Sequence, residues 1–187
     1  MLLLELTEQY RLWISAFDGQ VNAAQLMKEA QEKLPSTTIQ LIDLDKVAGS
    51  RHLLLSTFNA LSSYNSNRRI SRSLAMEILV FVSGTSQITE AIERVGISPK
   101  TSKTVALALV SSNDEVREVE NFLVDVFNKK ADDTLLDRWT KARRTSVRRV
   151  YGITSKELIA AARNDEKIEN AIERLAIERS AMLAIAK

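Results

Sequence analysis

The sequence predicts an α+β fold, with a small mixed or antiparallel sheet covered by helices and a helical C-terminal third. Two observations support this prediction: short strand-like runs alternate with helical patterns as far as residue 110, and no convincing strand follows Asp132. Because 187 residues with 45% hydrophobic content can bury one adequate core, we expect a single domain over residues 1–187.

The strands are indicated by apolar and β-branched runs that end at turn residues. Leu12–Phe17 is closed by Asp18-Gly19, and Thr38–Leu44 is followed by a Gly-Ser pair. Both alternating faces of Thr104–Val110 are apolar, which is typical of an interior strand. The apolar N-terminal run has no basic region before it and no small-residue cleavage site after it, so we interpret it as a strand rather than a signal peptide.

The helices are indicated by apolar residues at helical spacing and by capping residues. Ser112 with Glu115, and Thr154 with Glu157, match the capping box that begins many helices. One apolar pattern covers Val21–Ala30. A further pattern, which fades in the polar segment 62–67, consists of Leu53, Leu54, Phe58 and Leu61.

The stretch from residue 71 to residue 99, SRSLAMEILVFVSGTSQITEAIERVGISP, predicts two helices joined by a short turn. Only Glu77 is charged between Leu74 and Val82, so the first helix is too short to cross a bilayer but suited to burial on most sides. We expect Gly84 to adopt a positive φ at its end and Ser86 to cap the next helix. On spacing alone, this is an ordinary pair of core helices.

No pattern of catalytic, metal-ligating or cofactor-binding residues is recognisable. His52 is the only histidine and the chain has no cysteine, so a satisfied structural histidine is the favoured interpretation. The glycine patterns of nucleotide-binding and dinucleotide-binding loops are absent. We therefore expect a protein that is not an enzyme, with no catalytic residues, no cofactor and no metal ion.

Positive charge is unevenly distributed, although the net charge is only +2. Each of two intervals without acidic residues is either a solvated helix face or a phosphate-binding surface. The first interval contains Lys46, Arg51, Arg68, Arg69 and Arg72. The second contains Arg138, Lys141, Arg143, Arg144, Arg148 and Arg149.

The helix pair also resembles a family signature. A Ser-Arg-x-Leu-x-x-Glu-Ile run leads through a short loop to Ile-x-Glu-Ala-Ile, a basic residue and Gly-Ile, which resembles the kinase-binding subunit of the KEOPS tRNA-modification complex, the CGI-121-like family known as TPRKB. Residues 146–153 match that family less specifically, and residues 129–145 depart from it, so we interpret 129–145 as a helical extension. The signature positions are Ser71, Arg72, Leu74, Glu77, Ile78, Ile88, Glu90, Ala91, Ile92, Arg94, Gly96 and Ile97.

The resemblance implies a non-catalytic KEOPS subunit for tRNA threonylcarbamoyladenosine modification. Such a subunit binds the kinase/ATPase subunit, contacts other KEOPS subunits indirectly, and recruits tRNA through its 3′ CCA end. We do not expect it to bind a membrane. For kinase binding we expect apolar residues of the signature helices and the C-terminal helix, namely Met76, Ile88, Ile92 and Met182. For tRNA binding we expect arginines and turn residues, namely Arg68, Arg69, Arg72, Thr85, Ser86 and Gln87.

Two other classes of function remain open on the sequence. One is a free-standing RNA- or DNA-binding module that uses the basic residues 138–149, and the other is a small hydrolase whose active site is not recognisable. The lack of cysteine and of a signal peptide favours a cytoplasmic location, and a nuclear one as well in a eukaryote.

Overall fold

One antiparallel sheet of four strands is the β-structure of this chain, for which a computed structural model describes residues 1–66, 68–163 and 166–185. The strands are β1 (Leu2–Glu5), β2 (Arg11–Asp18), β3 (Thr38–Asp43) and β4 (Lys103–Val110). Their order in the sheet is β1-β2-β4-β3, so β4 is an interior strand, as its two apolar faces predicted. The three strands expected from composition begin and end within a residue of the predicted bounds.

Helices account for most of the remaining described residues, which confirms the α+β prediction and its helical C-terminal third. They are α1 (Ala23–Lys33), α2 (Ser50–Asn65), α3 (Leu74–Ser83), α4 (Ile88–Val95), α5 (Asn113–Phe127), α6 (Thr134–Asp137), α7 (Lys141–Val150), α8 (Ser155–Ala161) and α9 (Ile168–Ile185). Within the expected extension over 129–145, the helical residues are α6 and the first half of α7. None of the described helices is both long and apolar enough to cross a membrane.

The described chain divides into two compact units, and each unit combines two separate stretches of sequence. Unit 1 consists of Met1–Leu44 and Ile97–Asp137, and it contains the sheet, α1, α5 and α6. Unit 2 consists of Asp45–Gly96 and Arg138–Lys187, and it contains the other six described helices. The family-like helix pair, α3 and α4, therefore belongs to unit 2.

The core of unit 1 forms where one face of the sheet packs against α1 and α5. Trp13 and Phe17 of β2 lie on this face together with alanines of β4, which leave room for the large rings. The ring of Phe17 stacks on Phe127 of α5 with 4.4 Å between their centroids. Alternation along each strand therefore places every second residue in this core.

The core of unit 2 surrounds α3. This helix contacts α2, α4 and α9, and seven successive residues from Glu77 to Ser83 are buried. A helix that is apolar on nearly all sides is stable only when neighbours cover its whole circumference, which explains the three packed helices. The predicted burial of this helix is confirmed.

Side-chain caps begin several helices. Thr154 and Glu157 form the predicted capping box of α8, with hydrogen bonds in both directions. Ser112 caps α5 as predicted, and the carboxylate of Glu115 accepts chiefly from the amide of Ser111 at 2.6 Å. The Ser111 amide and, to a smaller degree, the Ser112 amide hold the pKa of the Glu115 carboxyl below its ordinary value, so this carboxylate serves both amides before α5.

A capping group from another helix begins α2, whose N-cap is Gly49 and has no side chain to offer. The Glu173 carboxylate of α9 accepts from the amides of Arg51 at 3.0 Å and His52 at 3.2 Å. Gly49 has a φ of 130°, and a Cβ there would lie 2.5 Å from the Glu173 carboxylate oxygen. Glycine is thus required both for the backbone conformation and for the close approach of its cap.

The turn between α3 and α4 differs from its prediction in one residue. Gly84 has a φ of 68° and ends α3 in the left-handed conformation, as predicted. Gln87, rather than Ser86, is the N-cap of α4, and its side chain makes no capping hydrogen bond. The hydroxyl of Thr85 accepts from the Gln87 amide at 3.3 Å, so the prediction for Ser86 was wrong because Thr85 supplies the acceptor.

Candidate partner-binding surfaces

Exposed apolar side chains are concentrated in unit 2. Among large apolar residues that are exposed in the described part of the chain, all except Met1 belong to this unit. They are Leu55, Phe58, Ile88, Ile92, Ile159, Ile168, Met182 and Ile185. Those among them that lie together on neighbouring helices are candidates for a partner-binding surface.

Two isoleucines form the exposed apolar side of α4. Ile88 is 38% exposed and Ile92 is 46% exposed, and the four-residue spacing places them on one face of the helix. Ala91 and Val95 belong to the same apolar face, because residues 88, 91, 92 and 95 follow the i, i+3, i+4, i+7 pattern, and both are fully buried. The helix therefore buries one side of a single apolar face in the core of unit 2 and leaves the edge with Ile88 and Ile92 exposed to solvent.

A second apolar group lies on α2 and α9. The hydroxyls of Ser56 and Ser180 are 2.8 Å apart, which brings these parts of the two helices to the same level. Leu55 and Phe58 flank Ser56 along α2 and are exposed, and Met182 follows Ser180 and is also exposed. This pair of helices thus adds to the apolar surface of unit 2.

The four residues predicted for kinase binding differ in exposure. Ile88, Ile92 and Met182 are exposed, whereas Met76 is half-buried in the first turn of α3. Leu55 was not among the predicted contacts, and Phe58 was assigned to the apolar pattern of α2. The buried face of α2 instead includes Ser56, a small polar residue that fits against α9, so the bulky Phe58 lies outside.

The predicted arginines lie in the loop between α2 and α3, which we call the arginine loop (residues 68–73). Arg68, Arg69 and Arg72 are all exposed. The last turns of α2 hold this loop, because Tyr64 donates to the carbonyl of Arg72 at 3.0 Å, and the single hydroxyl proton of Ser63 is shared between the carbonyl of Arg68 at 3.1 Å and the carboxylate of Glu77. The arginines are therefore presented from an anchored backbone.

A buried carboxylate fixes the middle of the arginine loop. Glu77 is fully buried, and it accepts hydrogen bonds from the amide of Ile70 at 3.0 Å, the amide of Ser71 at 2.7 Å and the hydroxyl of Ser63 at 2.9 Å. Sequence analysis identified Glu77 as the single charge of an apolar helix but missed this role. The sequence did contain one indication of this role, because Glu77 stands only six residues after Ser71 within the family signature.

The turn residues predicted for tRNA binding are not equivalent. Ser86 and Gln87 are exposed, but the hydroxyl of Thr85 is engaged and donates to the Glu90 carboxylate at 2.6 Å. This hydrogen bond, together with Arg94 beside it, holds the pKa of the Glu90 carboxyl below its ordinary value. Thr85 therefore shapes the turn, and the neighbouring side chains are the ones presented to solvent.

The second basic cluster is divided between internal contacts and solvent. Arg143 is buried, donates to the carbonyls of Arg138 at 3.0 Å and Val47 at 3.3 Å, and lies 4.6 Å from the ring centre of Trp139. Arg144 forms an ion pair with Glu169 at 3.3 Å. Of this cluster, Lys141 and Arg149 are exposed on α7 and remain candidates for phosphate contacts. A surface formed by the whole cluster is therefore excluded.

His52 is buried, as expected for a structural histidine. Its ring lies edge-on to Tyr151 at 5.2 Å, and a hydrogen bond to the backbone carbonyl of Val82 contributes to its environment. Burial lowers the pKa of His52 to about 4, with the Val82 carbonyl opposing this effect. Within the described residues no group of three or more acidic or histidine side chains could hold a metal ion.

Comparison with known proteins places these surfaces in context. A family model described as the kinase binding protein CGI-121 matches residues 17–184. The EKC/KEOPS complex subunit TPRKB of Danio rerio is 27% identical over 154 residues, which cover 82% of this chain and 85% of that protein. The EKC/KEOPS complex subunit CGI121 of Yarrowia lipolytica is 26% identical over 96 residues, which cover 51% of this chain and a little over half, 57%, of that protein.

Proposed function

The chain belongs to the CGI-121 family of kinase binding proteins, and on that premise we propose that it is a non-catalytic subunit of the KEOPS complex. In this role it binds the kinase/ATPase subunit, reaches the other subunits indirectly, and recruits tRNA through its 3′ CCA end for threonylcarbamoyladenosine modification. The names of the two relatives support the assignment to this complex. The proposed location is the cytoplasm, and also the nucleus in a eukaryote.

The exposed apolar surface of unit 2 is the observation that supports kinase binding most strongly. Stable complexes have interface cores that are depleted of charge and rich in large apolar side chains. Ile88 and Ile92 on α4 and Phe58 on α2 fit this description, and Met76 and Met182 remain predicted contacts at the margin. Since unit 2 already buries an apolar core around α3, this surface is in addition to what its folding requires.

The first experiment tests kinase binding by co-expression with the kinase subunit of the same organism and size-exclusion chromatography. Ile92→Glu and Phe58→Glu are each expected to weaken binding at least about tenfold, because a central apolar contact contributes about 2 kcal/mol or more. Both side chains are nearly half exposed, so the melting temperature of the free protein should be unchanged.

Ile159→Glu provides the matched control, because Ile159 is 77% exposed on α8, a helix that carries none of the predicted kinase contacts. It should co-migrate with the kinase like the unsubstituted protein. Intact complexes with both test variants would contradict this interface. Loss of binding with the control alone would move the interface to α8.

The arginine loop and the exposed turn residues support tRNA recruitment. Arg69 and Arg72 have no carboxylate within ion-pair distance among the described residues, so their charge is available to phosphates. Ser86 and Gln87 add hydrogen-bonding groups suited to an unpaired RNA end. Arginine contacts to phosphates set position and affinity, whereas the turn would contribute recognition of the terminal bases.

A second experiment measures tRNA binding by fluorescence anisotropy over a range of salt concentrations. The double variant Arg69→Gln with Arg72→Gln should bind intact tRNA more weakly, with a log-log salt slope smaller by about 0.7 for each phosphate that is no longer neutralised. The unsubstituted protein should lose affinity when the CCA end is removed. Equal affinity for intact and trimmed tRNA would refute end recognition.

The double variant Lys141→Gln with Arg149→Gln controls for the change in net charge, because it removes two exposed positive charges of the second basic cluster. It should retain most of the affinity for tRNA. If this control loses affinity while the arginine-loop variant does not, the chain is better described as a nucleic-acid-binding module that uses α7.

A further inference from the structure

Glu77 is a buried carboxylate with no cation at ion-pair distance among the described residues. Burying a charge is unfavourable unless hydrogen bonds replace its former hydration. An apolar side chain at this position would extend the apolar run of α3 without that cost. The carboxylate therefore has a specific role. Its three donors indicate that this role concerns the arginine loop, because all of them belong to that loop or to the end of α2 that holds it.

We infer that Glu77 is a positioning residue for tRNA binding, which it serves by fixing the backbone from which Arg69 and Arg72 project. This inference rests on the proposed function of the arginine loop. Glu77 binds two consecutive amides, those of Ile70 and Ser71, and these two residues are flanked directly by Arg69 on one side and Arg72 on the other.

Two consecutive amides that point at one anion form a small concave site that holds the local backbone in a single conformation. Here the anion is part of the protein, so the loop is ordered before any ligand arrives. Ordering two arginines in advance reduces the entropy cost of their meeting phosphates. Their spacing relative to the RNA backbone is thereby set by a carboxylate that the RNA does not contact.

Simple electrostatics makes the opposite prediction, which makes the inference testable. A negative charge beneath a basic loop weakens its attraction for phosphates, so neutralising Glu77 would strengthen tRNA binding if field strength were all that mattered. If Glu77 acts by positioning, the same neutralisation weakens binding. The sign of the change therefore separates the two roles.

The test compares Glu77→Gln with Glu93→Gln, which removes the same charge from an exposed position on α4. A glutamine can offer one neutral oxygen to both loop amides in place of Oε2, but its NH2 group would lie 3.1 Å from the Ile70 amide, where the second carboxylate oxygen now accepts. Hydrogen exchange at Ile70 and Ser71 should accelerate by roughly tenfold, as expected when hydrogen bonds to a charged group are replaced by weaker neutral ones. Amides of α3 from Val80 onward should keep their protection.

In the anisotropy assay, Glu77→Gln should bind intact tRNA several-fold more weakly than Glu93→Gln, with a smaller salt slope, while co-migration with the kinase is kept. Ser63→Ala should show the same defect to a smaller degree, because it removes the hydroxyl that contacts both Glu77 and the Arg68 carbonyl without changing the apolar core. This second variant keeps the test valid if Glu77→Gln destabilises α3.

The possible results separate this inference from the function on which it rests. Unchanged exchange at Ile70 and Ser71, or tRNA affinity in Glu77→Gln equal to or tighter than in Glu93→Gln, would overturn the positioning role. If Arg69→Gln with Arg72→Gln weakens binding in that case, the proposed function stands without it. If the arginine variant binds normally, both the function of the loop and the role of Glu77 are refuted.

Discussion

Replacing Leu79 by alanine is expected to lower the free energy of unfolding by about 2–5 kcal/mol, the range for truncating a large buried side chain. Leu79 is only 2% exposed and lies in the middle of α3, where neighbouring residues on every side are also buried. The well-packed helices around it cannot close the resulting cavity fully, so the packing energy of the removed atoms is not recovered. Thermal and urea unfolding followed by circular dichroism measure the change.

Leu55→Ala is the matched control, because it makes the same substitution at an exposed position of the neighbouring helix α2. Its effect should be well below half of that of Leu79→Ala. A pair of variants with equal and small effects on stability would show that α3 is not the centre of the unit 2 core.

The stability of the protein is expected to fall as the pH falls through the range set by His52. Its pKa is about 4 in the folded protein against 6.5 as the ordinary value, so the unfolded chain binds the proton first. The stabilisation from the neutral ring is complete above pH 6.5 and disappears progressively below it. The decrease amounts to about 2 kcal/mol by pH 5 and approaches about 3 kcal/mol near pH 4.

Urea unfolding at pH values from 7.5 to 5 tests this expectation, since His52 is the only histidine in the chain. His52→Phe keeps an aromatic ring against Tyr151 but cannot bind a proton. The free energy of unfolding of this variant should be nearly flat where that of the unsubstituted protein falls. Parallel pH profiles for the two proteins would contradict a buried neutral His52.

The family, the fold class and the buried helix α3 were predictable from the sequence. Composition was sufficient for β2, β3 and β4, because each strand is apolar and ends at residues that favour turns. Burial of α3 followed from a run with one charge in nine residues, and the left-handed Gly84 from the glycine after that run. These features depend on local sequence, so local patterns were enough.

The environment of individual polar side chains could not be predicted in the same way. Arg143 belongs to a strongly basic helix and is buried because two carbonyls and the ring of Trp139 receive its guanidinium. Its partner Val47 lies 96 positions away in the chain, which no local pattern reveals. The hydrogen bonds of Glu77 to the arginine loop span only six or seven residues, but they involve backbone amides, which every sequence contains.

The candidate surface was predicted in part for a related reason. Ile88 and Ile92 were assigned to an interface through their place in the family signature, and the exposure of both side chains agrees with that assignment. Phe58 was placed in the apolar pattern of its helix because hydrophobicity alone favours burial. A large apolar residue looks the same in sequence whether another helix of the same chain or a partner protein covers it.

The cap that Glu173 of α9 provides to α2 has a consequence for the order of folding during synthesis. Ribosomes produce α2, α3 and α4 long before α9, so the emerging chain has an uncapped α2 and an α3 without one of its neighbours. Unit 2 can therefore complete its fold only after α9 has left the exit tunnel. Until then chaperones can bind its exposed apolar helices. A stable complex with a partner forms only after α9 has packed against α2 and α3.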